Sequence, residues 1–322
     1  MNIQKLLPSL LVITLSTGFI ASTAQAAVKT DNLFIYRFQQ TEPATIDTSR
    51  SYLKQFLPTE TTARLAIPED NIVRYVSEKD VNTTFEHNVV TGDVNFSRNF
   101  SRYLGNFVPK LPTPDAAVKV ATEFLKQNRL LPANPEELKV AHVGGLRTTS
   151  VLATGKPGPV VDKLVTISFA RELNGVPVIG AGSKVIINVG DGGEIIGVSR
   201  RWRELDKPVR LTGNDILSEK EAVELSQRQI LSEFGEKSRV EILQTQIAYF
   251  DNNGATLQPV FAFQTKVHLA DQKLPAVDYV SVIPAMRKPI ENLNLTQLDP
   301  AALKLIKAGD SGVLGESNRT SD

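Results

Sequence analysis

The feature that most constrains this chain is a tight turn set between two alternating runs. From Val160 to Leu173, Val165, Ile167 and Phe169 point one way, and Thr166 and Ser168 the other. Asn174-Gly175 follows, and both residues tolerate the positive φ of a two-residue hairpin turn. Val176 to Val189 returns, Gly190-Asp191-Gly192-Gly193 makes a second loop, and Glu194 to Glu204 completes a three-strand meander. Antiparallel sheet with one apolar face is therefore expected here, and that face needs a cover.

The cover is legible on either side. Thr113-Pro114 offers an N-cap with proline at the first helical position, and Ala117, Val120, Ala121 and Phe124 recur at helical spacing. Further on, Ser218 to Glu221 is a capping box, Val223, Ile230 and Phe234 follow at helical spacing, and Gly235 stops the run. Three strands come after it: Val240–Phe250, Leu257–Leu269 and Ala276–Pro284, the first two joined by Asp251-Asn252-Asn253-Gly254. Helix followed by meander thus occurs twice. The expectation is an α+β protein of two helix-plus-antiparallel-meander modules in tandem, spanning 72–210 and 211–285. Ahead of the first helix, Ile72–Val76, Asn82–Val90 and Val94–Leu104 read as strands.

The ends read differently. Residues 1–26 have the form of a signal peptide: Lys5, an apolar run from Leu6 to Ala21, then Ala24-Gln25-Ala26. The run is shorter than a membrane span and lacks a basic stop-transfer flank, so no membrane span is expected, and the protein is expected to be secreted or periplasmic. Residues 27–71 are polar and read as an N-terminal arm, with a strand within Asn32–Gln39 and a short helix within Thr48–Phe56. Residues 286–322 lose the strand pattern and read as a flexible C-terminal tail with a short helix at Pro300–Ala308.

Composition closes off several chemistries. The chain has no cysteine, which excludes disulfides, thiol catalysis and thiolate metal sites. Lys and Arg number 36 against 35 Asp and Glu, so no nucleic-acid partner is expected. The three histidines, His87, His142 and His268, are not spaced as metal ligands and read as polar surface or strand-edge residues. Asp191-Gly192-Gly193 and Asp251-Asn252-Asn253-Gly254 do not continue as calcium loops. Gly175, Gly180 and Gly182 precede no helix and so make no phosphate loop. No G-x-S-x-G elbow is present. No catalytic residue, metal ligand or cofactor is expected, and the chain reads as non-enzymatic. The N-x-[ST] triplets at Asn82, Asn95, Asn99, Asn294 and Asn318 are acceptors only in a eukaryotic secretory pathway.

One stretch stands out as a partner contact: Arg200, Arg201, Trp202 and Arg203. Alternation sets Arg200 with Trp202 and Arg201 with Arg203. Tryptophan and arginine are enriched at binding hot spots. The other reading is that Trp202 fills the core edge while the arginines pair with Glu194, Glu204 or Asp206.

Phe169 to Gly180, then Lys184 to Val189, Gly193 and Ile195, resemble the hairpin of thermolysin/fungalysin-type protease propeptides, with its Gly-[Val/Ile]-Pro-Val-x-Gly step. Ser218 to Pro284 is similar to the PepSY domain that often follows, through Leu257-Gln258-Pro259-Val260-Phe261-Ala262-Phe263. The resemblance covers Pro112 to Pro284. It implies a cystatin-like α+β fold for both modules, a role in inhibiting or chaperoning a zinc peptidase, and a protein partner, a secreted peptidase. The catalytic domain of such peptidases needs His-Glu-x-x-His, which this chain lacks. The alternative is a structural or ligand-binding protein of the cell envelope or surface.

Overall fold

The computed structural model describes residues 32–60, 64–151, 156–291 and Leu293. The proposed signal peptide, the helix at Pro300–Ala308 and the tail beyond Leu293 lie outside them, whereas Met286, at the start of the stretch read as a tail, is buried and Arg287 is paired with Glu221. The described residues form thirteen strands and four α-helices, one of which is a single turn. They divide into two units. Unit 1 takes the described parts of Gln39–Leu173 and Gly182–Glu204; unit 2 takes those of Ala24–Phe38, Asn174–Ala181 and Leu205–Asp322.

Unit 1 is built on an antiparallel sheet. Its strands are β2 (Ile72–Val76), β3 (Thr84–Asn88), β4 (Val94–Ser97), β5 (Leu138–Val151), β6 (Pro157–Leu173), β8 (Lys184–Val189) and β9 (Ile195–Arg201). They pair in the order β5-β6-β8-β9-β4-β3-β2. The alternation read from the sequence is buried as expected: Ile167 and Phe169 of β6 face Val185 and Ile187 of β8 in one apolar core. Two helices contribute to that core. α1 (Ile46–Phe56) brings Leu53 and Phe56, and α3 (Pro114–Gln127) brings Ala117, Ala121 and Leu125. The Phe56 and Phe96 rings stack at 4.7 Å. Thr113 caps α3 by accepting from Ala116 N–H. The strand expected over Val94–Leu104 is shorter, because Asn99 adopts a positive φ of 54° and the chain turns into α2 (Ser101–Leu104).

Unit 2 has a mixed sheet. Its strands are β1 (Phe34–Arg37), β7 (Val176–Gly180), β10 (Val209–Arg210), β11 (Arg239–Asp251), β12 (Thr256–His268) and β13 (Val277–Pro284). β11, β12 and β13 are antiparallel neighbours. β1 pairs with β12 and β10, while β7 pairs with β11 in parallel. α4 (Glu219–Phe234) brings Ala222, Ile230 and Phe234 to the unit's apolar clusters.

The tandem of two helix-plus-meander modules is therefore corrected. The protein is mostly sheet, and its sheet is mixed. β7, which the sequence assigns to the first meander, runs parallel to β11. The cause is local. Asn174 (φ 52°) and Gly175 (φ 80°) make the expected turn, but Gly180 at φ 112° redirects the chain after β7. A Cβ at Gly180 would lie 2.3 Å from the Asp251 carbonyl oxygen, so only glycine permits this approach to β11. β1, in turn, comes from the stretch read as an arm, and Ile35 and Tyr36 are buried in unit 2.

Candidate functional site

β9 ends at Arg201, and the Arg200–Arg203 stretch divides between core and surface. Trp202 is buried in the unit 1 core, and the Arg171 guanidinium lies 4.1 Å from its ring centroid. Arg171 is itself fully buried. It meets the Glu137 carboxylate at 3.0 Å and donates to Ser183 Oγ (3.3 Å) and the Arg203 carbonyl (2.7 Å). Arg200 is half-buried and donates to the carbonyls of Leu130 (2.9 Å) and Trp202 (3.2 Å). Burial pushes its pKa down, against the opposing charges of Tyr52, Glu204 and Asp93. Arg201 is exposed and Arg203 half-buried. Of the acidic residues named beside them, Glu194 accepts from the Asn99 amide and Glu204 from Ala133 N–H.

The carboxylates of the two calcium-like turns are used by the backbone. Asp191 Oδ1 accepts from Lys110 N–H, and Asp251 Oδ1 from Asn253 N–H. His268 sits 3.1 Å from Glu241 at the surface. His87 differs from its expected surface place: it is buried on β3, its Nδ1 lies 2.8 Å from the buried Ser49 Oγ of α1, and burial lowers its pKa. This pair has the spacing of a nucleophile and base, but both side chains are sealed in the core and no substrate reaches them. Among the described residues, no three metal-ligating side chains cluster, and no helix is long and apolar enough to cross a membrane.

A groove of about 730 Å³ lies in unit 2. Gly213 to Glu219, leading into α4, form one wall, and Ile242 to Ile247 of β11 form the other. Ile216, Ile247 and Phe261 are its buried apolar lining. Two charged residues line it. Arg287 is engaged, donating to both Glu221 carboxylate oxygens at 2.7 and 3.0 Å. Glu219 makes no ion pair among the described residues. Glu221 also accepts from Ser218 N–H, completing the capping box. Arg287 and that capping bond together hold Glu221 at a pKa of about 2.

One wall of the groove is a strand edge. β7 pairs with β11 at Tyr249, Phe250 and Asp251, and the same parallel register sets its first residues, Val176 and Pro177, opposite Ile247 and Ala248. N-terminal to these, no described strand pairs with β11 on that side. The register of β11 against β12 shifts once, between Ile242 and Gln244, leaving Leu243 exposed at the bulge. This bulge was missed in the sequence, although a signal exists. The apolar residues of β11 fall at Val240 and Ile242, then at Ile247 and Tyr249. That change of parity requires one extra residue in the strand.

No family model matches the chain, and no curated protein matches it. Among solved structures, it is similar to an uncharacterized protein from Eubacterium rectale ATCC 33656 at 9% identity, over 80% of this chain and 84% of that one, with a TM-score of 0.47. It is also similar to the Bacillus megaterium YpeB C-terminal domain at 15% identity, over 76% of this chain and 99% of that one, with a TM-score of 0.35.

Proposed function

We propose that this chain is an exported, non-catalytic protein-binding module that restrains or chaperones a secreted peptidase. The observation that carries the binding role is the composition of the groove. Its walls are backbone edge, amide side chains and aliphatic residues, and its charged lining is Glu219 with the already paired Arg287. Such a lining suits recognition of a polypeptide better than bond-making, which needs a nucleophile, base or acid in mutual reach. The peptidase as partner rests on the propeptide and PepSY resemblance of Pro112 to Pro284. Export rests on the Met1–Ala26 segment.

The test is affinity capture with the purified protein from culture fluid and envelope fractions of its host, paired with a deletion strain. A peptidase should be recovered, and its secreted activity or yield should change on deletion. Recovery of no peptidase, with proteolysis unchanged, would sink the reading.

A further inference from the structure

We infer that the open edge of β11 from Gln244 to Gln246 takes one extended segment of a partner protein as an added strand, with a cationic side chain of that segment set against Glu219. This rests on the protein-binding reading above and specifies how it is done.

Three observations converge on one slot. First, the edge is unpaired among the described residues between the bulge at Leu243 and Ile247, where β7 begins alongside with Val176. Exposed edges present a row of unpaired N–H and C=O groups, which a second chain can complete. Proteins shield edges with bulges, and the one at Leu243 ends this slot. Beyond it the register to β12 stays regular through Phe250. The slot is about three residues long, or roughly 10 Å at strand rise. Second, β7 already uses the same edge for its last three pairs and stops at the Asn174-Gly175 turn. An added strand would lie in line with β7.

Third, the groove beside the edge supplies specificity. Alternate side chains of an added strand point to one face. There they would meet Ile216, Ile247 and Phe261, which ask for apolar residues. Charge complementarity sets the rest. Arg287 is neutralised by Glu221, whereas Glu219 is not neutralised, so the groove presents a net negative charge. The occupant that fits is an extended, alternating apolar segment bearing Lys or Arg. Its own carboxylates would be repelled.

The test uses the full purified chain and a blocked octapeptide alternating valine with threonine between two terminal lysines, titrated by NMR. Saturable shifts are expected at the amides of Gln244 to Gln246. Two N-methylated versions, carrying methyls on alternate peptide residues in the two possible phases, should separate: one binds and the other does not, because only alternate N–H groups face the paired strand. Exchanging the peptide's lysines for glutamates should weaken binding about tenfold, and Glu219→Lys should reverse that preference. Equal binding of the two N-methylated peptides, shifts confined to other residues, or no saturation at millimolar peptide would each overturn the inference. Circular dichroism of the Glu219→Lys protein checks that it is folded. Peptide binding with no peptidase recovered leaves this slot standing and removes the peptidase reading. A peptidase recovered while the slot stays inert does the reverse.

Discussion

Unit 1 and unit 2 handle charge in opposite ways. Unit 1 draws Arg171, Lys163 and His87 into its interior and gives each a partner there. Lys163 donates to the carbonyls of Gly105 (2.8 Å) and Phe107 (2.5 Å), and Ser49 meets His87. Unit 2 keeps most of its charge on the rim, with Glu221 and Arg287 both substantially exposed and Glu219 at the groove. Its buried Asp251 is spent on a turn. Buried charges restrict a structure because losing one partner strands the other, whereas rim charges are screened and adjustable. Unit 1 is thus the part of the chain whose charges are locked inside, and unit 2 is the part whose rim charges flank the open edge of β11.

The largest effect should follow from unlocking Arg171. Arg171→Ala would leave the Glu137 carboxylate and the Arg203 carbonyl without their donor and strip the cation from the Trp202 ring. A loss of about 3–5 kcal/mol is expected. Urea unfolding followed by fluorescence reads it directly, since Trp202 is the single tryptophan of the chain. A loss below about 1 kcal/mol, the scale of a surface pair, would erase the contrast between the units.

A second, smaller effect should appear on acidification. Burial lowers the His87 pKa from its ordinary 6.5, so the folded chain binds fewer protons there than the unfolded one. Stability from this group is complete above pH 6.5 and is lost as pH falls below it toward the folded value. The slope is at most about 1.4 kcal/mol per pH unit. Asp93 acts with the opposite sign: burial raises its pKa, so protonation above the ordinary 3.8 favours the fold. The His87 ring protons, followed by NMR, should titrate below 6.5. A midpoint at or above 6.5 would mean that α1 does not seal this pair.

Ser218→Ala tests unit 2 in turn. Removing the cap of α4 should cost about 1 kcal/mol, read as a lower urea midpoint. The cap was plain in the sequence because Ser218 and Glu221 are three residues apart and act locally. So were the Asn174-Gly175 turn, Thr113 on α3 and the alternation of β6. The joining of β7 to β11 was not legible, since it depends on what lies beside Gly180, seventy residues distant in sequence. The Arg200–Arg203 stretch was half legible. Alternation correctly grouped Arg200 with Trp202, but it carried no sign of Arg171, the buried cation over that ring. The bulge at Leu243 was written as a parity change between Ile242 and Ile247, while the open edge beside it, a matter of which strands pair, was not written locally at all.

The smallest effect on stability, and the sharpest on titration, belongs to Arg287→Gln. Glu221 sits at about 2 mainly because Arg287 bonds its carboxylate, with Ser218 adding the rest. Its contribution to stability is present above the ordinary 4.5 and is lost as pH falls through about 2. Without Arg287 the folded value should climb toward 4.5 but stop short of it, because the Ser218 N–H and hydroxyl still donate. The window over which acid destabilises the helix start would narrow accordingly. The Glu221 carboxyl carbon shift against pH measures this, and an unmoved midpoint would remove Arg287 as the cause. The same variant leaves Glu221 unneutralised beside Glu219, so the lysine-ended octapeptide should bind it more tightly. A rim charge would then tune the open edge while leaving the fold nearly untouched, which is the behaviour that the locked charges of unit 1 should not show.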